Sequence, residues 1–173
     1  MILAVDVQYA DTRASVGAVL FECWQDSQEP QRFHIDYPNP EPYIPGEFYK
    51  RELPCILSML EHVSVDPDTV IVDGHVYLDG HNKPGLGKHL YDALHGEITV
   101  IGVAKSAFTG IDPSCEIFRG ASKRPLYVSA VSMPLNTAKA HIIEMKGKYR
   151  IPDYLKLADQ IARQGSTAIS TKS

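Results

Sequence analysis

The strongest constraint in this sequence is an alternation of strand-length apolar runs with segments of helical periodicity. Ile2 to Val7, Thr69 to Val72 and Thr99 to Val103 are continuous apolar runs, the signature of buried strands. Between them, a helix is predicted from Pro54, which suits a first-turn position, to about Val63. Its apolar face is Ile56, Leu57, Met59, Leu60 and Val63. A second helix is predicted over Leu86 to Leu94. Strand, helix, strand, helix, strand implies parallel crossovers.

The opening of the chain reads differently. Arg13 to Trp24 is a long second strand after an Asp11-Thr12 turn, and Arg32 to Asp36 a third, so the start is an antiparallel meander. It ends in a stiff, proline-punctuated loop from Tyr37 to Gly46. Later come a strand at Pro125 to Ser129, a helix at Leu135 to Met145, and a final helix at Tyr154 to Arg163. Leu157, Ala158, Ile161 and Ala162 of that last helix face inward, and the tail from Gln164 to Ser173 is expected to be loose. With 173 residues, 44% of them hydrophobic, one domain over residues 1–173 has enough material for a core. The expected class is α/β: a mixed sheet of ribonuclease H-like type, an antiparallel meander followed by parallel strands, flanked by helices.

A formal charge of -4 argues against a binder that relies on a wholly basic surface, and moves attention to local clusters. These are Lys50-Arg51, Lys83 with Lys88, Lys123-Arg124, and Lys146 to Arg150. No run approaches membrane-spanning length, and Asp6 cuts short the apolar N-terminus, so neither a membrane partner nor a secretory signal is expected. Cys23, Cys55 and Cys115 are odd in number and lack metal-type spacing. They read as buried free thiols of a reducing compartment, and hence of a cytoplasmic protein.

Asp6 sits inside one apolar run and Asp73 closes another, where an ionised carboxylate is costly unless something pairs with it. Such a residue can cap a turn or meet an Arg. Two of them, one at the carboxyl end of a parallel strand, bring a metal site level with that alternative. Glu52, just before the predicted helix, is on spacing alone more simply a solvated charge, and Asp159 on the last helix is ambiguous. His75, His81 and His89 match no zinc signature and are expected to be satisfied or exposed.

Several segments, in order, resemble the endonuclease V family. Asp6-Val7-Gln8-Tyr9 is similar to its first-strand motif, Pro42-Tyr43-Ile44-Pro45-Gly46 to its wedge loop, and Arg51-Glu52-Leu53-Pro54 to the acidic motif that follows. Val72-Asp73-Gly74-His75 resembles the second catalytic strand, Gly85-Leu86 with His89 the next helix, and Ile101-Gly102-Val103-Ala104-Lys105 the lysine-bearing strand. With Pro125 to Ser129 and Tyr149-Arg150-Ile151-Pro152 the resemblance extends over residues 3–163, and six motifs in register are specific where one is not.

The resemblance implies that Asp6, Glu52 and Asp73 bind Mg²⁺ or Mn²⁺, with Asp159 in the place of a fourth group near the metal. Lys105 would contact the scissile phosphate or position the attacking water, though a lysine snorkelling from a strand end is common. Tyr43 and Ile44, held by Pro45, would wedge into a duplex, and Gly46, Phe48 and Gly74, near Gly85, would border a pocket for an extruded hypoxanthine. A stiff surface loop packing its own Tyr is the plain alternative. The implied activity is hydrolysis of the second phosphodiester on the 3′ side of deoxyinosine or inosine in DNA or RNA.

The sequence also departs from the family. It starts almost at the first strand, where members usually carry a helix. Residues 76–84 lack the usual Pro-Arg-Arg, and Ala130 to Met133 replace a Gly-His pair. A metal nuclease for branched, mismatched or RNA substrates, or a nucleic-acid binder that does not cut, are the other readings. The acidic trio favours an enzyme, since a pure binder gains nothing from carboxylates beside phosphates.

Overall fold

The computed structural model describes the backbone of residues 1–171 and the side chains of residues 1–165. Its frame is β1 (Ile2–Ala10), an apolar strand with neighbours on both sides. β2 (Arg13–Phe21) and β3 (Gln31–Pro38) follow as the antiparallel meander. β4 (Thr69–Asp73) and β5 (Thr99–Ala104) add parallel to β1 on its other side. β6 (Glu116–Ile117) and β7 (Leu126–Val131) complete a seven-stranded sheet of order β3-β2-β1-β4-β5-β7-β6, with β7 antiparallel to β5. The expected mixed sheet is present, with β6 as an unforeseen addition.

Helices cover both faces, as parallel strands buried on two sides require. On the face of Leu3, Val5 and Val7 of β1, α1 (Phe48–His62) packs on β1, β2 and β3, and α2 (Leu86–Ala93) packs on β5 and β7. On the face of Ile2 and Ala4, which point the other way, α4 (Asp153–Thr171) packs on β1, β2 and β3, and α3 (Leu135–Glu144) packs on β7.

Two expectations are corrected. α1 begins at Phe48 rather than Pro54, so Pro54 is inside the helix and Glu52 with it. Pro54 removes one N–H, but the carbonyl it would have served belongs to Lys50, an exposed residue where solvent takes the bond. The expected tail from Gln164 is helical over its described part: α4 continues to Thr171, while residues 172–173 lie outside the described residues. Gly165 gives the physical reason. It lies so close to Ser15 and His34 of the meander that a Cβ there would collide with both, so the helix is laid on the sheet at that point.

A second close approach sets the position of α4. Gly17 of β2 is the register partner of Asp6, and a Cβ on it would fall 2.5 Å from the Ala158 carbonyl and 2.6 Å from the Ala162 nitrogen. Both contacts are helix backbone, which cannot swing aside like a side chain. Gly17→Ala should therefore push α4 away and cost about 1–3 kcal/mol, read as a melting temperature lowered by roughly 2–10 °C. An unchanged melting temperature would mean that the helix is free to shift.

Candidate active site

Register brings the acidic residues together. Val5 of β1 lies beside Val72 of β4, so the next pair of positions on these parallel strands is Asp6 beside Asp73. Asp73 in turn lies beside Val103 of β5, and two residues further, on the same face, is Lys105. α4 crosses that face through the Gly17 contact and adds Asp159. The four polar side chains line one cleft whose walls include Ala4, Ile71, Val103, Ile151, Leu155 and Ala158. Its volume of about 30 Å³ admits an ion or a water.

The polar contacts form a connected set. Gln8 Nε2 donates to Asp6 Oδ2 (3.3 Å) and to Asp159 Oδ1 (3.1 Å). Lys105 Nζ approaches Asp73 Oδ2 at 3.4 Å, and Arg163 Nε donates to Asp159 Oδ2 at 2.9 Å. Asp6 is 5% exposed, and its carboxyl is pushed up to about 8 by burial first, then by its hydrogen bond to Asp159 and the charge of Asp73. Burial also acts to raise Asp159, but the hydrogen bond with Asp6 and the Arg163 guanidinium outweigh it and hold Asp159 below the ordinary value. These opposite shifts favour the protonated form of Asp6 beside an ionised Asp159.

Glu52 comes from the opposite side, on α1, and does not line the cleft. It is 4% exposed and held well above the usual carboxylate range by burial and by the charges of Asp6 and Asp73, against the pull of Arg51. Arg51 lies 3.6 Å from the centroid of the Tyr9 ring. Among the described residues no three His, Cys, Asp or Glu side chains converge into a ready-made cation cage. The donor set nevertheless fits a divalent cation: all are hard carboxylate oxygens, they repel one another, and Glu52 Oε2 is buried without a hydrogen-bond partner.

The loop residues lie apart from this cleft. Tyr43, Ile44 and Phe48 are exposed, with the Tyr43 ring edge-on to Phe48 at 6.5 Å. Pro45 and Gly46 complete the turn into α1, with Gly46 at φ +82° and open space around it. Gly74, at φ +154°, follows Asp73, and its N–H reaches the Val103 carbonyl at 3.2 Å. Gly85 caps α2 and donates to the Val76 carbonyl. Tyr49 stacks on His89 at 3.6 Å, so the starts of α1 and α2 are adjacent.

Other expectations fare unevenly. His75 Nε2 donates to the Ser106 carbonyl, His81 is exposed and paired with Asp112, and His89 is stacked, as the absence of a zinc pattern suggests. Cys55 and Cys115 are buried free thiols, but Cys23 is exposed, because β2 ends at Phe21 and the chain turns outward there. Gln8, which bridges two carboxylates, and Arg150, whose Nη2 donates to the carbonyls of Lys105 and Pro125 at 2.7 Å, were not foreseen. Both lie inside recognised motifs, so position carried a signal although residue type did not.

The sequence profile of the Endonuclease V family matches residues 1–124, a span that contains Asp6, Glu52, Asp73 and Lys105. The chain belongs to the endonuclease V family. Endonuclease V of Nostoc punctiforme is 28% identical over 184 aligned positions, covering 93% of this chain and 81% of that protein. The Streptomyces avermitilis endonuclease V crystal structure superposes with a TM-score of 0.76 at 25% identity, over 98% of this chain and 82% of that one. A Ciona intestinalis endonuclease V, solved in complex with a 24mer DNA containing an inosine followed by a ribo-adenosine, gives a TM-score of 0.79 at 20% identity. That match covers 97% of this chain and 86% of that one. The ribonuclease H-like fold extends to an Argonaute of Marinitoga piezophila, TM-score 0.52 at 11% identity over 94% of this chain and 29% of that one. As an endonuclease V family member the protein is a nuclease.

One electrostatic contact ties the loops that flank this site. His81 Nε2 lies 2.6 Å from Asp112 Oδ2, which raises His81 above its ordinary 6.5 and holds Asp112 down to about 2. Asp79, held at about 2 by the N–H groups of His81, Asn82 and Lys83, adds negative charge on the same side. The His81 contribution is complete below 6.5 and is lost as pH rises through its raised value. The Asp112 contribution is complete above 3.8 and is lost as pH falls toward 2. The melting-temperature deficit of His81→Ala should thus be largest between about pH 4 and 6.5 and shrink on either side. A deficit independent of pH would show that the pair is not ionised.

Proposed function

We propose that the protein is a divalent-metal-dependent endonuclease that hydrolyses a phosphodiester on the 3′ side of deoxyinosine or inosine in DNA or RNA. The observation that carries this reading is one cleft at the carboxyl ends of adjacent parallel strands. It holds Asp6, Asp73, Lys105 and Asp159, with the partnerless buried oxygen of Glu52 behind it. The inosine-containing DNA in the Ciona intestinalis complex supports the choice of base.

Asp6, Glu52 and Asp73 would hold Mg²⁺, with Mn²⁺ able to substitute. When bound, such an ion supplies Lewis-acid stabilisation of the phosphoryl oxygens and a more acidic water. The chain's own residues do the rest. Lys105 exchanges its contact with Asp73 for a non-bridging oxygen of the scissile phosphate, where its charge meets charge that grows in the transition state. Asp159, aligned by Gln8 and Arg163, receives the proton of the attacking water at Oδ1. The extruded base occupies the space between Gly46 and Phe48 on one side and Gly74 and Gly85 on the other. Tyr43, Ile44 and Pro45 fill the gap it leaves. Residues 1–173 act as one nuclease domain, and free thiols fit a cytoplasmic setting. Among the described residues no helix is long and apolar enough to cross a membrane.

The test is incubation with Mg²⁺ and end-labelled single- and double-stranded oligonucleotides with or without inosine. The expected product is a cut at the second bond 3′ to inosine, leaving 3′-hydroxyl and 5′-phosphate ends. Asp73→Asn, which keeps shape and loses charge, should lower the single-turnover rate at least about a hundredfold with binding retained. Full Mg²⁺-dependent activity in that variant would overturn the site. Cutting that ignores inosine would turn the substrate toward branched or mismatched structures.

A further inference from the structure

Two loops beside the cleft carry an unusual charge pattern. Residues 118–124 join β6 to β7, residues 145–152 join α3 to α4, and between them they hold Arg119, Lys123, Arg124, Lys146, Lys148 and Arg150 with no Asp or Glu, in a chain of net charge -4. Two of these act as struts. Arg119, 5% exposed, donates to the carbonyls of Met145, Gly147, Tyr149 and Arg150 and so staples the first loop to the second. Arg150 donates to the carbonyls of Arg124, Pro125 and Lys105 and so joins both loops to the backbone of the cleft lysine. The neighbouring Ile151 lines the cleft itself.

The other four, Lys123, Arg124, Lys146 and Lys148, are exposed, and among the described residues none of them forms an ion pair. Beside them are two of the most exposed aromatic side chains of the molecule, Phe118 at 55% and Tyr149 at 64%, with Lys148 Nζ 5.4 Å from the Tyr149 ring centroid. Like charges fixed on a braced frame repel one another. Arg150 is held below its ordinary value by burial and by the charge of Arg124. An arrangement of this kind gains from a polyanion, and exposed rings among cations gain from bases that are not already stacked in a duplex.

We infer that these two loops form a second nucleic-acid contact surface, which takes a single-stranded flank of the substrate. Its phosphates lie on Lys123, Arg124 and Lys148, and its unpaired bases lie against Phe118 and Tyr149. The inference rests on the proposed reaction only in taking nucleic acid as the substrate, and binding tests it without any cleavage. Lys105 anchors one end, so the strand that leaves the scissile phosphate passes directly onto this surface.

The experiment measures fluorescence anisotropy of inosine-free single-stranded oligonucleotides of increasing length, without metal, over a range of salt concentrations. The variants are Lys123→Glu/Lys148→Glu, Lys123→Arg/Lys148→Arg and Tyr149→Ala, each checked for an unchanged melting temperature. For the long oligonucleotide, the charge reversal should weaken binding at least about tenfold and flatten the slope of log K against log salt by about 0.7 per lost phosphate contact. The Arg pair should bind as the wild type does. Tyr149→Ala should lose about tenfold on single strands and little on duplex. Oligonucleotides too short to leave the cleft should not distinguish the variants. A folded charge-reversal variant with wild-type affinity and salt slope would overturn the surface. Wild-type binding of this kind without inosine cleavage would leave the surface standing and remove the proposed reaction.

Discussion

Two carboxylates at the carboxyl ends of neighbouring parallel strands, on one face and in adjacent register, are the constraint on which the rest depends. Asp6 and Asp73 are brought side by side by backbone pairing, not by attraction, and Glu52 adds a third acidic group from the far side of the sheet. Ions in such a place are expensive unless something opposes their charge. The protein answers only in part. Asp6 is pushed toward its protonated form, Lys105 leans on Asp73, and Gln8 bridges two carboxyls. Glu52 Oε2 is left with no hydrogen-bond partner. A fold that keeps this unrelieved repulsion at its centre is one that a divalent cation stabilises.

The surrounding architecture serves that point. Gly17 allows α4 to lie against β2, and so sets Asp159 over Asp6. Arg150 holds the carbonyl of Lys105 and ties the end of β5 to the loops that precede β7 and α4. The rigid cleft is small, and the exposed elements around it differ in character. The proline-bearing loop presents apolar and aromatic tips, while the stapled pair of loops presents cations and rings. The proposed phosphate centre and the surfaces proposed for bases and flanking strand are compatible because they occupy neighbouring loops at one end of the sheet, the carboxyl end of β1, β4 and β5.

Much of this was legible in the residues, and the failures have physical causes. The parallel strands were readable because buried strands are continuous apolar runs, and Asp6 and Asp73 stood out against them. Their adjacency was not readable, since register is a property of pairing between strands far apart in sequence. Glu52 was misjudged because Pro54 looks like a helix start. An interior proline is tolerated here where the carbonyl it abandons is exposed. Asp159 stayed ambiguous because its position follows from Gly17, a residue with no side chain to leave a pattern. The end of α4 was missed because Gly165, Ser166 and Thr167 are poor helix formers, and contact with the meander overrides propensity. β6, two residues long, is beneath any periodicity.

The central claim is that the carboxylate cluster is a cation site, and the most direct measurement of it is the melting temperature of the wild type and of Asp6→Asn as Mg²⁺ or Mn²⁺ is added. A cation that binds only the folded protein contributes about 2.7 kcal/mol at a hundred times its Kd. That is a rise of roughly 5–10 °C for a chain of this size. The account predicts such a rise for the wild type and the loss of most of it in Asp6→Asn, which keeps the shape of Asp6 but cannot give up a proton to become an anionic ligand. A wild type indifferent to both metals, or an Asp6→Asn variant that responds as fully, would contradict it.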